Sequence, residues 1–282
     1  MDSTLIVAIS TMGGLGLLFA SALAFADRKL RVFEDPKISA VNEVLPNANC
    51  GACGNAGCYD FAVNVVSGKT KINGCPVGGQ EVVDEIARIL GIESTKSVKL
   101  VARILCNGGN AEAVKKPNVE YHGPLSCSVQ TIVAGGEKMC LYGCLGGGDC
   151  VEACQFGAIF MNENGLPVVV EELCTGCGQC AEICPRGVIE IHPEDRELFV
   201  FCRNHDDPKR SKEVCKVACI GCGICARKSD GSIVMKDFLA EIDYTKLDVS
   251  KIPLDKCSTA AIRLIDKVKM IPQTKEQTKT IN

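Results

Sequence analysis

The sequence contains no tryptophan, and only 4 tyrosines and 9 phenylalanines occur in 282 residues. A large aromatic-rich core is therefore excluded as the main source of cohesion. Histidine is nearly absent as well, with 3 residues in no paired acid or base arrangement, which argues against histidine-based proton transfer. No GxGxxG follows a strand-like run and no Walker phosphate loop occurs, so no nucleotide site is visible. Positive charge is not in excess either. A formal net charge of −3 gives no basic footprint for nucleic acid and suits docking to basic patches on partner proteins.

What the chain has in abundance is cysteine, 20 residues in all. A secreted disulfide scaffold and a metalloprotein of a reducing compartment are the two explanations for such usage. Disulfide domains are short and scatter their cysteines. Here the cysteines crowd into CxxC-type runs, which suit the wrapping of a metal and place the bulk of the chain in the cytoplasm.

From Ser3 to Ala26 the chain is uncharged and largely apolar (STLIVAISTMGGLGLLFASALAFA). That is long enough to cross a bilayer as a helix at about 1.5 Å per residue. A cleavable signal peptide would carry positive charge ahead of the apolar run, but Asp2 stands there, and Arg28, Lys29 and Arg31 follow it. The basic flank predicts a single-pass anchor in the cell membrane, with the remainder on the cytoplasmic side. Gly13, Gly14 and Gly16 form a smooth strip for close helix packing, or reflect only the ordinary frequency of glycine in membrane helices.

Past the anchor, DPKISAVNEVLP reads as a short helix opened by Asp35 and Pro36; GCYDFAVNVVSG and QEVVDEIARILG read as two more. Residues 98–105 alternate as a strand. AIFMNENGLPVVV and VIEIHPEDRELFVF read as strand pairs, turning at Asn164–Gly165 and around Pro193–Asp195. The expected organisation is α+β. It comprises a transmembrane anchor (1–28), a small helical [4Fe-4S] domain (29–92), a connecting segment (93–137), a two-cluster ferredoxin-like domain (138–201), a degenerate third ferredoxin-like repeat (202–270) and a polar tail (271–282).

Four groups of ligands are expected. Cys50, Cys53, Cys58 and Cys75 lie in NCGACGNAGCYDF and NGCPVGG, a spacing unlike the paired CxxC of zinc sites. Cys174, Cys177, Cys180 and Cys184 in CTGCGQCAEICPRG match the bacterial ferredoxin run, whose fourth cysteine ligates the neighbouring cluster. CLYGCLGGGDCVEACQFGAI supplies the partner run. Crossing the ligands gives one cluster on Cys140, Cys144, Cys150 and Cys184 and another on Cys154, Cys174, Cys177 and Cys180.

The third run, CIGCGICARKSDG, carries Ser229 and Asp230 where a cysteine and a proline should stand, and Cys257 in DKCSTAAIRLI is the candidate fourth ligand for Cys219, Cys222 and Cys225. Two other readings of this copy stay open: that it binds nothing, or that Cys202, His205 and Cys215 join it in a zinc site. Cys106, Cys127, Cys202 and Cys215 receive no ligand role, being read as small buried thiols. The expected cofactors are three [4Fe-4S] clusters and a fourth on the last group, and the chemistry they imply is electron transfer.

The anchor, CGACGNAGC with its distant CP, the CLYGCLGGGDCVEACQFGAI run and CTGCGQCAEICP, in that order, resemble the B subunit of the Rnf complex, a membrane-bound ferredoxin:NAD oxidoreductase. CNGG at Cys106 and YHGPLSC at Cys127 are similar to the long form of that subunit. The resemblance covers nearly the whole chain. It implies an electron carrier that takes electrons from soluble reduced ferredoxin and relays them to flavin-bearing membrane subunits, coupled to sodium or proton translocation, with NAD reduced elsewhere in the complex. Ser229 is a departure from the pattern. The competing readings are an iron–sulfur subunit of another membrane oxidoreductase, such as a hydrogenase or dehydrogenase, and a zinc-bound scaffold.

Overall fold

A computed structural model describes residues 3–30 and 35–265; the polar tail expected at 271–282 lies outside the described residues. Helix α1 runs from Ser3 to Leu30 with no acidic residue in its first turn and Arg28 and Lys29 in its last. Its Ile9–Lys29 stretch is long and apolar enough to cross a membrane, and none of it is buried in protein.

Three helices follow. α2 (Pro36–Val44) starts where the sequence predicts, with the Asp35 carboxylate accepting the Lys37 N–H at 2.9 Å and proline at the first helical position. α3 (Cys58–Val66) and α4 (Gly79–Leu90) complete the unit, α4 ending at the left-handed Gly91. Their apolar faces meet at Val41, Phe61, Ala62, Val83 and Ile86, all almost wholly buried.

The remainder is built from short strands and short helices, several of a single turn. In chain order these are β1 (Leu100–Ile104), α5 (Cys127–Ile132), α6 (Asp149–Glu152), β2 (Ile159–Met161), β3 (Pro167–Val169), α7 (Gln179–Glu182), β4 (Ile189–Pro193), β5 (Leu198–Val200), α8 (Pro208–Val214), α9 (Ile224–Arg227), β6 (Ile233–Lys236), β7 (Leu239–Ile242) and β8 (Ile262–Leu264). They pair into antiparallel two-stranded sheets: β1 with β4, β2 with β3, β5 with β8 and β6 with β7. The β2–β3 hairpin turns at the predicted place, closed by Leu166 N–H donating to Asn162 Oδ1 at 2.9 Å.

The second predicted hairpin is corrected. A turn does form after Pro193, with Arg196 N–H donating to the Pro193 carbonyl, but the strands on either side diverge. β4 is claimed by β1, in a register running from Leu100 opposite Pro193 to Ile104 opposite Ile189, and β5 is claimed by β8. Residues 93–137 are thus more than a connection, because their strand completes the sheet behind the cysteine loops.

One buried contact fastens that sheet. Arg103, 2% exposed, reaches from β1 to Glu171 with Nη1 2.5 Å from Oε1 and Nη2 3.3 Å from Oε2. Glu171 sits three residues before Cys174, so the pair ties β1 to a cysteine loop. Nearby, His192 on β4 is also buried; its Nε2–H donates to Glu190 at 2.8 Å and its Nδ1 accepts from Arg196 at 3.0 Å. Burial, then the positive charges of Arg196 and Arg103, lower its pKa to about 4, so the ring is neutral at pH 7.

Two consequences are testable. Glu171→Ala leaves the Arg103 guanidinium buried and unpaired, a loss of about 3–5 kcal/mol; a lowered thermal midpoint of the full chain in detergent is expected, with Glu171→Gln milder. For His192 the unfolded state binds the extra proton first, so its contribution is present above pH 6.5 and is lost as pH falls from 6.5 toward 4. Replacing His192 by glutamine should flatten the fall of the thermal midpoint between pH 7 and 5; an unaltered slope would remove His192 from that role.

Candidate metal centres

The thiols are aimed by a repeated local device. A glycine in the left-handed region precedes each of three single-turn helices: Gly148 (φ 84°) before α6, Gly178 (φ 84°) before α7 and Gly223 (φ 68°) before α9. An L side chain there is strained by about 1–2 kcal/mol, whereas glycine adopts it freely. The chain reverses at the glycine, and the second residue of each helix is a cysteine: Cys150, Cys180 and Cys225.

Turned in this way, the cysteines line five cavities, four to each. The first holds Cys50, Cys53, Cys58 and Cys75 under Leu45 and Phe61. The second holds Cys154, Cys174, Cys177 and Cys180. The third is lined by Cys127, Cys144, Cys150 and Cys184. The fourth is lined by Cys106, Cys140, Cys202 and Cys215, and the fifth by Cys219, Cys222, Cys225 and Cys257.

The structure gathers Cys50, Cys53, Cys58 and Cys75, then Cys154, Cys174, Cys177 and Cys180, and then Cys219, Cys222, Cys225 and Cys257, each set around one cavity, and places Cys184 away from its own run. Cys140 is the correction. Its spacing groups it with Cys144, Cys150 and Cys184, but it faces the fourth cavity, and Cys127 stands in its place. The physical reason is Asp149. This buried carboxylate accepts from Cys127 N–H at 2.8 Å, Ser128 N–H at 3.0 Å, Ser128 Oγ at 3.0 Å and Ser126 Oγ at 3.2 Å, which docks the start of α5 onto α6 and sets Cys127 beside Cys150. Burial would raise the Asp149 carboxyl, but the hydrogen bonds from Ser128 and Cys127 together outweigh it and hold the group below the usual carboxylate range. The four cysteines to which the sequence assigns no role all line cavities. No local motif announces them: their partners lie far away in the chain, and only their total, one further set of four, is a signal.

The third run resolves its own puzzle. Ser229 is buried, and its hydroxyl donates to the Ala226 carbonyl at 2.9 Å while accepting the Ile233 N–H at 3.0 Å. It knits the loop that precedes β6. His205 lines neither the fourth nor the fifth cavity; its Nδ1 lies 3.2 Å from the Asp237 carbonyl and its ring packs edge-on against Tyr142.

The donor sets fit an iron–sulfur cluster better than a single ion. Thiolates sharing one zinc, each about 2.3 Å from it, crowd within about 4 Å of one another. Among the described residues no three His, Cys, Asp or Glu side chains gather tightly enough to hold one metal ion. Thiolates on the corners of an iron–sulfur cube stand farther apart, around a central volume, and here each set of four lines a single cavity. Backbone N–H groups already point at sulfur: Ala102 at Cys174 Sγ (3.4 Å) and Ala158 at Cys154 Sγ (3.3 Å). Such bonds tune cluster potentials. Burial pushes the Cys144, Cys150 and Cys180 thiols up to about 12, so metal binding has to displace a proton from each.

Comparison with known proteins agrees with this geometry. A family described as "Putative Fe-S cluster" matches residues 45–77, spanning the first site. A "4Fe-4S dicluster domain" matches residues 142–189, which begins after Cys140 and includes Cys144, Cys150, Cys154, Cys174, Cys177, Cys180 and Cys184. The chain is 42% identical over 265 residues, 94% of its own length and 100% of the relative's, to the B subunit of the ion-translocating oxidoreductase complex of Methanosarcina acetivorans. It is 40% identical over 258 residues, 91% of this chain and 77% of the relative, to the B subunit of the Na+-translocating ferredoxin:NAD+ oxidoreductase complex of Acetobacterium woodii. The chain belongs to the family of Rnf B subunits. To the proton-translocating counterpart of Clostridium ljungdahlii it is 35% identical over 267 residues, 93% of each chain. As an Rnf B subunit it is the iron–sulfur electron-transfer component of an ion-translocating oxidoreductase complex, which excludes the zinc scaffold and the unrelated oxidoreductases as readings.

The exchange of Cys127 for Cys140 is open to a direct check. In the anaerobically purified full chain, Cys127→Ala should lower iron by up to about four atoms, or open a corner and give a [3Fe-4S] EPR signal. Unchanged iron and an unchanged spectrum would return Cys127 to the role of a plain buried thiol.

Proposed function

We propose that the chain is a linear one-electron relay that takes electrons from reduced ferredoxin at its C-terminal end and delivers them toward the membrane at its N-terminal end. The ligand sets are Cys50, Cys53, Cys58 and Cys75; Cys154, Cys174, Cys177 and Cys180; Cys127, Cys144, Cys150 and Cys184; and Cys219, Cys222, Cys225 and Cys257. A [4Fe-4S] cluster, when bound in each, supplies a reversible one-electron couple. The residues supply spacing, insulation and hydrogen bonds to sulfur.

The observation that carries this reading is that the first three sites adjoin one another through their own cysteine loops. Gln179, the residue between Gly178 and Cys180, donates from Nε2 to the Cys50 carbonyl at 3.0 Å and so joins the second site to the first. Cys150 of the third site and Cys180 of the second lie close enough for their charges to interact. Exposure also fits a line with accessible ends. Cys222 of the fifth site is the one exposed cysteine among the described residues, and the first site has three half-buried ligands.

Features of the chain support the proposed direction. The first site belongs to the domain that follows the anchor in sequence, and Arg28, Lys29 and Arg31 assign that domain to the cytoplasmic side. The division into anchor, helical domain, two-cluster domain and third ferredoxin-like unit is supported by the separate apolar cores of the helical and strand-rich parts. By analogy with the relatives' names, electrons continue to NAD on other subunits, and sodium ions or protons are moved by membrane partners.

The test is anaerobic mixing of the intact complex with reduced ferredoxin. Rapid partial bleaching of the visible iron–sulfur absorbance is expected, slowed by Cys222→Ser at the exposed site. Bleaching by dithionite but not by ferredoxin would sink ferredoxin as the donor.

A further inference from the structure

We propose that the fourth cavity holds a fifth [4Fe-4S] cluster, on Cys106, Cys140, Cys202 and Cys215, and that this cluster is the bridge between the two-cluster unit and the C-terminal site. The inference rests on the relay reading and adds to it a centre that no sequence motif marks. Its four ligands come from four separate places: the segment after β1, the loop before α6, the segment after β5 and the end of α8.

The cavity has the size and chemistry of its neighbours. It matches the third cavity in size, and like it is lined by four cysteines. All four of its thiols are buried, which holds for no other site. Two glycines keep the volume open. A Cβ added to Gly108 would lie 3.1 Å from Cys215 Sγ and 3.8 Å from Cys106 Sγ, and one added to Gly143 would lie 3.4 Å from Cys140 Sγ and 3.6 Å from Cys106 Sγ. Side chains at either position would intrude on the space the thiols surround.

A second, independent observation points to an anionic occupant. Lys138 lines this cavity and is 6% exposed, and its ammonium donates to the Gly108 and Cys144 carbonyls, each at 2.9 Å. No carboxylate lies within ion-pair distance of it among the described residues. Burying an ammonium without a counter-charge is expensive. A four-thiolate iron–sulfur cluster carries net negative charge and would supply it. The tight gathering of ligands that a single zinc ion needs is absent here, as elsewhere among the described residues.

The position explains why the site exists. The Cys144 N–H, from the third site, donates to Cys106 Sγ at 3.3 Å. On the opposite flank Cys219, from the fifth site, packs against the apolar cluster that holds Cys202. The fourth cavity thus adjoins ligand loops on both sides, by a hydrogen bond to sulfur on one and by packing on the other. Held by Cys106, Cys140, Cys202 and Cys215, a cluster here would supply a reversible one-electron couple between the third and fifth sites, with no bond made or broken.

The experiment begins with iron, acid-labile sulfide and zinc analysis of the unaltered full chain, purified anaerobically in detergent. About twenty iron and twenty sulfide per chain are expected. The Cys202→Ala/Cys215→Ala double variant should lose about four of each and keep the rest. Lys138→Met should keep all the iron but lower the midpoint potential of one or two clusters, since the lysine's charge favours the reduced form; this readout holds even if the double variant fails to fold. About sixteen iron in the unaltered chain, or sixteen with one zinc, would overturn the bridge while leaving the relay of four sites standing. Failure of the relay itself would look different: iron would be missing from the other sites, or ferredoxin would not reduce them.

Discussion

Four thiols have to converge on one small volume, and they have to do so repeatedly along a chain that has little else to hold it together. Outside the anchor the apolar cores are modest, and several of their buried members are themselves cysteines: Cys106, Cys144, Cys150, Cys174 and Cys180 in one, Cys140, Cys202 and Cys215 in another. Every other feature serves that convergence. Two-stranded sheets are marginal alone, and here each one backs a cysteine loop. The left-handed glycines reverse the chain so that a thiol on the next turn faces inward. Asp149 and the Arg103–Glu171 pair fix loops that would otherwise wander. Because metal–thiolate bonds form only in the folded arrangement, metal binding and folding are one process in such a protein.

Burial varies along the line of sites in a way that suits electron flow. The C-terminal site has an exposed cysteine, the helical domain has half-buried ones, and the fourth site has all four buried. Low exposure limits loss of electrons to solvent oxidants, and exposure at the ends admits partners. Lys138 lines the fourth cavity, and its ammonium donates to the Gly108 and Cys144 carbonyls. The hydrogen bond from the Cys144 N–H to Cys106 Sγ makes neighbouring cavities share structure as well as proximity.

Much of this is legible in the amino-acid order, and where reading fails the reason is physical. α2 is readable because Asp35 and Pro36 form a local helix start, and β2–β3 because Asn164–Gly165 is a local turn. A hairpin of β4 with β5 is the wrong inference because a turn signal says that the chain bends, whereas the choice of partner belongs to distant strands, β1 and β8. Cys174, Cys177, Cys180 and Cys184 announce themselves by spacing. Cys140 also has a spacing, to Cys144, and that closeness misleads: neighbours in a run of cysteines need not share a cavity once the loop between them crosses from one site to the next. Cys127 is invisible because what places it is a carboxylate 22 residues away.

Residue order alone dictated the chemistry and the local shapes: thiolate sites in place of an aromatic core, an apolar anchor with a basic flank, and cysteine loops whose ligands and turns lie within a few residues of one another. How the 20 cysteines divide among cavities, which cavities adjoin, and that one of them draws its cysteines from four segments between Cys106 and Cys215 were settled by tertiary packing. Short-range spacing reports on a loop closing upon itself. The meeting of Cys106 with Cys202 is set by strand pairing and by packing across nearly a hundred residues, and no local pattern encodes it.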